Sequence, residues 1–315
     1  MIGVFGDVDR VRSLGVEVGE VFRGASTLGE FVKGVTPLIW VPKASSLSEG
    51  VEDAYGRRYL FAFGNSGCIA NPGVVDRLLS AIERLGSLGF KKVLLDAARL
   101  PSPIDGLFFV STCFCSHSLG LCPSLASVRS VVKRLLHGAS LSELLELLEE
   151  LAEARATHVD YILARARDKA RELGVELVAA VFPYPLSKLV GQDPKVLRRY
   201  LREVHVMLYH RCPTAACLNA ELRSLVEVAK LLGIPLDQAR ELVKRVAGLE
   251  LSVSEIENLD KGIDLKHVER LANLNREVYG SAFVPILWLD SDTEGRIREF
   301  AEKFGRIDVF APRKG

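Results

Sequence analysis

Apolar residues along this chain gather into short, mostly continuous runs rather than alternating with polar ones. The runs are IGVF (2–5), GVEVGEVF (15–22), PLIWV (37–41), VLLD (93–96), VELVAAVF (175–182), VHVMLY (204–209), FVPILWL (283–289) and IDVF (307–310). Strands buried on both faces read this way, because neither face meets water. Most gaps between the runs carry a helical period instead. VVDRLLSAIERLGSLG (74–89) has apolar residues at helical spacing and closes on Gly89, a C-cap signal. A longer helix is expected from about 140 to 173, opened by SLSE (140–143), where Ser140 and Glu143 have capping-box spacing. Its Glu, Arg and Lys residues read as a solvated face.

Eight such runs separated by helices predict an α/β protein of the (β/α)8 TIM-barrel type. A doubly wound open sheet is the alternative. GVFGDV (3–8) is not a G-x-G-x-x-G turn, however, and the chain has no P-loop motif. Two insertions are expected: a hairpin at about 43–70 after strand three, and helices at about 217–280 between strands six and seven. Gly233, Pro235 and Gly262 punctuate the second. No repeat or linker divides the chain, so 1–315 reads as a single barrel domain.

Composition narrows the partners. Hydrophobic residues make up 48% of the 315, ample for a large core, and 41 Lys+Arg against 40 Asp+Glu leave a net charge of +1. That balance argues against a nucleic-acid partner, which calls for a basic surplus. The start, MIGVFGDVDRVRS, lacks a basic n-region and a long apolar stretch, and no apolar run is long enough to span a bilayer. A cytoplasmic protein without a membrane partner is expected. Abundant Arg, Glu, Leu and Val resemble the bias of thermophile proteins. Six cysteines are too few for a disulfide scaffold of this size.

In a barrel of this type function collects where strands end and the following loops begin. Strand three leads to Cys68 and Asn71. Strand four ends at Asp96, followed by Arg99 and then Cys113, Cys115, His117 and Cys122. Past strand five come Gln192 and Asp193; past strand six come Tyr209, His210, Cys212, Cys217 and Glu221. Strand seven ends at Trp288, with Asp290 beyond. All six cysteines thus fall in loops on one face.

The order N-P, helix, strand, D-x-x-R-x-P-S (Asn71, Pro72, Asp96, Arg99, Pro101, Ser102) is similar to glycoside-hydrolase barrels related to the α-amylase and α-galactosidase groups, in an uncharacterised branch. LVGQD (189–193) and YHRCPTAACLNAEL (209–222) add to the resemblance, which covers roughly 35–220. It implies a carbohydrate substrate and two carboxyl groups across the anomeric carbon, one ionised and one protonated. Asp96 is the first candidate, with Arg99 expected to hold it ionised. Asp193 and Asp290 are candidates for the second, ahead of Glu221, which is placed to cap its helix. Arg99, Asn71, Gln192, Tyr209, His210 and Trp288 are expected to bind substrate, Tyr209 and Trp288 as ring platforms. The simpler structural reading makes Asp96 and Arg99 an ordinary buried ion pair.

The cysteines admit three readings. Cys113, Cys115 and His117, closed by Cys122, Cys212 or Cys217, could share a structural metal, although C-F-C-S-H is not a zinc-finger spacing. Disulfides, for example Cys212–Cys217, and inert buried thiols are the others. Any one of them leaves the first functional reading, a glycosidase-type hydrolase, without a required cofactor. The alternatives are a non-catalytic barrel that binds carbohydrate or protein, and, third, a metal-dependent hydrolase.

Overall fold

A computed structural model describes residues 2–312; residues 1 and 313–315 of the expected domain lie outside the described residues. Eight parallel strands close into a barrel in chain order: β1 Ile2–Gly6, β2 Val18–Gly24, β3 Val35–Trp40, β4 Lys92–Asp96, β5 Glu176–Val181, β6 Glu203–Leu208, β7 Phe283–Trp288 and β8 Ile307–Ala311. The open-sheet alternative falls because β8 pairs with β1, Ile2 opposite Ile307 through Gly6 opposite Ala311. Each predicted run overlaps a strand. The second begins only at Val18, so residues 15–17 of its run precede the sheet.

The connections are unequal. A one-turn helix, α1 (Val8–Arg12), follows β1. After β3 comes a small two-stranded ribbon, Val51–Glu52 against Arg58–Tyr59, and then α2 (Pro72–Ser87). Between β4 and β5 lie short helices, α3 (Leu125–Leu135) and the 32-residue α4 (Leu141–Glu172). The expected capping box opens α4: Ser140 N donates to Glu143 Oε2 at 2.9 Å, and Glu143 N donates to Ser140 Oγ at 3.3 Å. α5 (Pro194–Tyr200) follows β5. Between β6 and β7 come α6 (Leu218–Leu231), α7 (Leu236–Ala247), a short turn of helix and α8 (Leu265–Tyr279); α9 (Ile297–Phe304) precedes β8. No helix among the described residues is long and apolar enough to cross a membrane.

Side chains alternate between the helix layer and the barrel interior along each strand. The registers therefore set which residues meet inside. Gly3 lies opposite Asp308 and Glu20, Phe5 opposite Phe310 and Phe22, and Asp96 opposite Trp40 and Ala180. The lower interior is charged: Lys92 reaches Glu20 at 2.9 Å and Glu203 at 3.3 Å, and Arg306 reaches the same two carboxylates at 2.6 and 2.7 Å. One level higher, the fully buried His205 and Asp308 pair through Nδ1 and Oδ2, with Phe22 edge-on to the imidazole at 5.5 Å.

This packing makes Gly3 a sensitive position. A Cβ there would meet the Asp308 carboxylate and stand 2.8 Å from the Phe22 ring. Gly3→Ala should destabilise the protein by about 1–3 kcal/mol through overpacking. The effect should appear as a lower urea midpoint at unchanged m-value; an unchanged midpoint would contradict the β1–β2–β8 register.

Candidate functional site

Asp96 is the last residue of β4, and its carboxyl sits half-buried at the C-terminal mouth of the barrel. Burial pushes its pKa up to about 6, against the pull of the Arg99 charge and the Ala97 backbone amide. The expectation that Arg99 would hold Asp96 ionised is therefore corrected: desolvation wins. Arg99 is buried and lies between rings, its guanidinium 5.7 Å from the Phe61 centroid and 5.1 Å from that of Phe182, and its Nη1 donates to Leu100 O at 3.0 Å. The two residues form no ion pair within 4 Å, so the simple ion-pair reading also fails. Ala97 has φ 57°, a left-handed conformation that costs an L-residue about 1–2 kcal/mol and is concentrated at functional sites.

Several residues expected to bind substrate or to supply the second carboxyl instead hold backbone in place. Gln192 is fully buried; its Oε1 accepts from Phe182 N at 2.9 Å and its Nε2 donates to Ala98 O at 3.4 Å, tying the end of β5 to the end of β4. Asn71 caps α2 by accepting from Gly73 N at 2.9 Å. Asp193 caps α5, accepting from Lys195 N at 2.7 Å. Glu221 does more than cap α6. Its buried carboxylate accepts from Ser102 Oγ at 3.0 Å, Ile104 N at 3.0 Å and Ala216 N at 2.9 Å, clamping the loop after β4 to the loop after β6.

Past β6 and β7 a second polar group forms. Asp290 Oδ2 stands 3.0 Å from Arg211 Nη2 and 3.1 Å from His210 Nε2, and the same Arg211 nitrogen reaches Asp292 at 3.1 Å. Burial raises the Asp290 pKa, but the charges of His210 and Arg211 and the Asp292 amide outweigh it, so the carboxyl lies below its ordinary value. Burial lowers the pKa of His210 despite its carboxylate neighbours. His210, Asp290 and Asp292 have ligand atoms close enough for a cation, yet Arg211 already supplies the positive charge between the carboxylates.

Aromatic rings wall the mouth. Trp288 and Phe310 stack at 5.0 Å, and Tyr209 lies 5.7 Å from each. Tyr209 is buried, and burial followed by the charges of Asp96 and Asp308 raises its pKa. On the rim, Phe63 is 68% exposed and tilts against Trp40 at 6.0 Å, with φ of 59°.

The cysteines divide into two groups and one outlier. Cys212 and Cys217 form a disulfide, Cα–Cα 5.5 Å, beside the His210–Arg211 turn. Cys113 and Cys115 meet Cys68, not His117: the three sulfurs lie within 4.8 Å of one another, a group that could hold a metal ion. His117 is exposed on the helix Ser116–Leu121, because the turn that buries Ser118 directs it outward, and Cys122 is half-buried with its thiol on Ser124 Oγ at 3.2 Å. Both leave the metal set proposed from sequence. Cys68 was visible as a loop cysteine, but nothing local links it to residues 113–115. Arg211 and Asp292 stand at the strand-six and strand-seven ends but carried no site role in the strand-end reading, and Phe310 is a further site residue outside it. The first two are the charged neighbours of residues it did select.

No protein-family model matches the sequence, and no curated protein matches it. Solved structures do. The β-galactosidase from Marinomonas ef1 is similar over 99% of this chain and 54% of its own, at 12% identity and a TM-score of 0.50. The glycoside hydrolase domain of PelA from Pseudomonas aeruginosa is similar over 99% and 93%, at 15% identity and a TM-score of 0.45. The PgaB (BpsB) glycoside hydrolase domain from Bordetella bronchiseptica is similar over 89% and 71%, at 13% identity and a TM-score of 0.46. This chain spans about half the length of the β-galactosidase. At such identities the likeness is one of fold.

The Glu221 clamp gives a direct test of how the mouth is held. Glu221→Ala strands three buried donors and should cost about 3 kcal/mol or more. Glu221→Gln keeps the shape and should cost less. Thermal unfolding of the three proteins side by side checks this; an alanine variant melting with the wild type would remove the clamp.

Proposed function

We propose that this chain is a glycoside hydrolase whose carbohydrate substrate lies across the C-terminal mouth of the barrel, with Asp96 as general acid and Asp290 as the ionised carboxylate. One observation carries the reading: two carboxyls on different strand ends are driven in opposite directions, Asp96 up to about 6 by burial and Asp290 down by His210 and Arg211. Opposed environments of this kind are how a site keeps one carboxyl protonated and the other charged. Trp288, Phe310 and the exposed Phe63 offer ring faces on which sugar rings can stack, with the buried Tyr209 backing the first two. Asp290 is preferred to Asp193, whose carboxylate is engaged by the α5 backbone, and to Glu221, which is buried with its oxygens already hydrogen-bonded. The Marinomonas ef1 protein that shares this fold is a β-galactosidase, which agrees with this choice of substrate class. The barrel and its helical insertion act as one unit of 1–315 in this reading.

In the proposed step Asp96 gives its proton to the leaving glycosidic oxygen, while Asp290 meets the positive charge that develops at the anomeric carbon, either directly or through a water it activates. The Arg211 contact keeps Asp290 charged throughout.

Wild type, Asp96→Asn and Asp290→Asn should be screened on aryl-glycosides and oligosaccharides. Both substitutions should lower kcat by about 10²-fold or more without unfolding the protein. Cleavage that survives Asp96→Asn would remove that residue from catalysis, and sugar binding without cleavage by any of the three would leave a carbohydrate-binding barrel. The pH profile follows from the directions of the shifts. Asp96 must be protonated, so turnover should fall as pH rises through about 6. Asp290 must be ionised, so the acid limb should lie below the ordinary aspartate value of about 4. A profile rising through pH 6 would reverse the two roles.

A further inference from the structure

The three-thiol cluster is made of buried residues that the proposed chemistry does not use. Cys68 comes from the loop ahead of α2; Cys113 and Cys115 come from the segment after β4. That segment is fastened to the ribbon by Phe114 N to Glu52 O at 2.8 Å and by Glu52 N to Cys113 Sγ at 3.4 Å. All three cysteines are at most 3% exposed, with Cys68 and Cys115 sulfurs 3.6 Å apart and Ser118 Oγ 3.3 and 3.4 Å from those two. Thiolates bound tetrahedrally at about 2.3 Å from one zinc ion stand about 3.8 Å from each other, so the sulfurs are already near that spacing.

Two buried side chains of α4, one cationic and one a neutral imidazole, keep nitrogens without a partner near this segment. Arg155, on α4, is 2% exposed and makes no ion pair among the described residues; its Nη1 donates to Leu189 O, its Nη2 to Phe109 O and, at 3.0 Å, to Thr112 O, one residue from Cys113, and its Nε has no partner. A buried guanidinium without a counter-charge is costly. Three thiolates and one divalent cation carry a net charge of −1, which Arg155 would balance. His158, one turn along α4, is 1% exposed; its Nδ1 donates to Ala154 O at 2.7 Å, leaving the Nε2 lone pair buried and unpartnered.

We infer that Cys68, Cys113 and Cys115 form a structural zinc site, with Arg155 as its buried counter-charge, that pins the β3–α2 loop to the segment following β4. Binding converts three thiols to thiolates and releases their protons to solvent, with no change of oxidation state. Because the sulfurs are sealed from solvent, the ion would hold loops and would not meet substrate.

The test is metal content and thiolate spectroscopy on the full chain. Protein purified without chelator should contain about one zinc per chain, and replacement by Co²⁺ should give a near-ultraviolet thiolate-to-cobalt charge-transfer band. Cys68→Ser should weaken that band and lose zinc, whereas Cys122→Ser, outside the cluster, should retain both. If Cys68→Ser does not fold, the wild-type cobalt spectrum still decides the matter. Wild type that binds neither ion after reduction and reconstitution, or mass spectrometry of freshly isolated protein showing a Cys68–Cys115 disulfide, would overturn the proposal.

Discussion

Arg306 stands just ahead of the last strand and reaches Glu20 and Glu203 together, while Lys92 reaches the same two carboxylates from the opposite side. These four residues come from β2, β4, β6 and the approach to β8, the alternate strands that supply one layer of a closed barrel. Two cations and two anions balance there, so the floor of the barrel can be polar without an unpaired charge. Such a network, rather than an isolated pair, is the arrangement that holds up at high temperature. Stepping two residues along each strand gives the next layer, Phe22, Leu94, His205 and Asp308, where the His205–Asp308 pair is sealed under rings. Two residues further comes the layer of Gly24, Asp96, Met207 and Phe310.

The position of Asp96 follows from that stacking. It belongs to the same interior column as Lys92 but stands four residues above it, past Leu94, and Lys92 is already paired with Glu20 and Glu203, so the floor does not hold it ionised. Arg99 could have served from above, yet Phe61 and Phe182 hold its guanidinium between their rings. Asp290 meets the reverse situation, with His210 and Arg211, just ahead of the Cys212–Cys217 disulfide, set against it. One mouth thus contains a carboxyl that resists ionisation and another that favours it, and the proposed chemistry depends on that difference.

The barrel was legible in the sequence because eight strands buried on both faces leave eight continuous apolar runs, and Asp96 was legible because it ends one of them. The direction of its pKa was not, since Phe61 and Phe182 come from segments far from Arg99 in the chain. The thiol cluster was half legible. Cys113 and Cys115 are close in sequence, but Cys68 joins them only through the ribbon pairing. Arg155 and His158 were hidden by the acidic and basic look of α4, although Arg155 falls on its buried stripe, four residues from both Leu151 and Val159. A helical wheel would have marked it as a charge on the apolar face.

The central claim is that the strand ends at the barrel mouth keep Asp96 protonated to near neutrality and Asp290 ionised. Carbon-13 NMR titration of aspartate carboxyls, with Asp96→Asn to assign the resonance, tests this without reference to any substrate. The account predicts a midpoint for Asp96 near 6, with Asp290 still ionised below the ordinary range. An Asp96 midpoint at or below about 4, the value of an unperturbed aspartate, would contradict it.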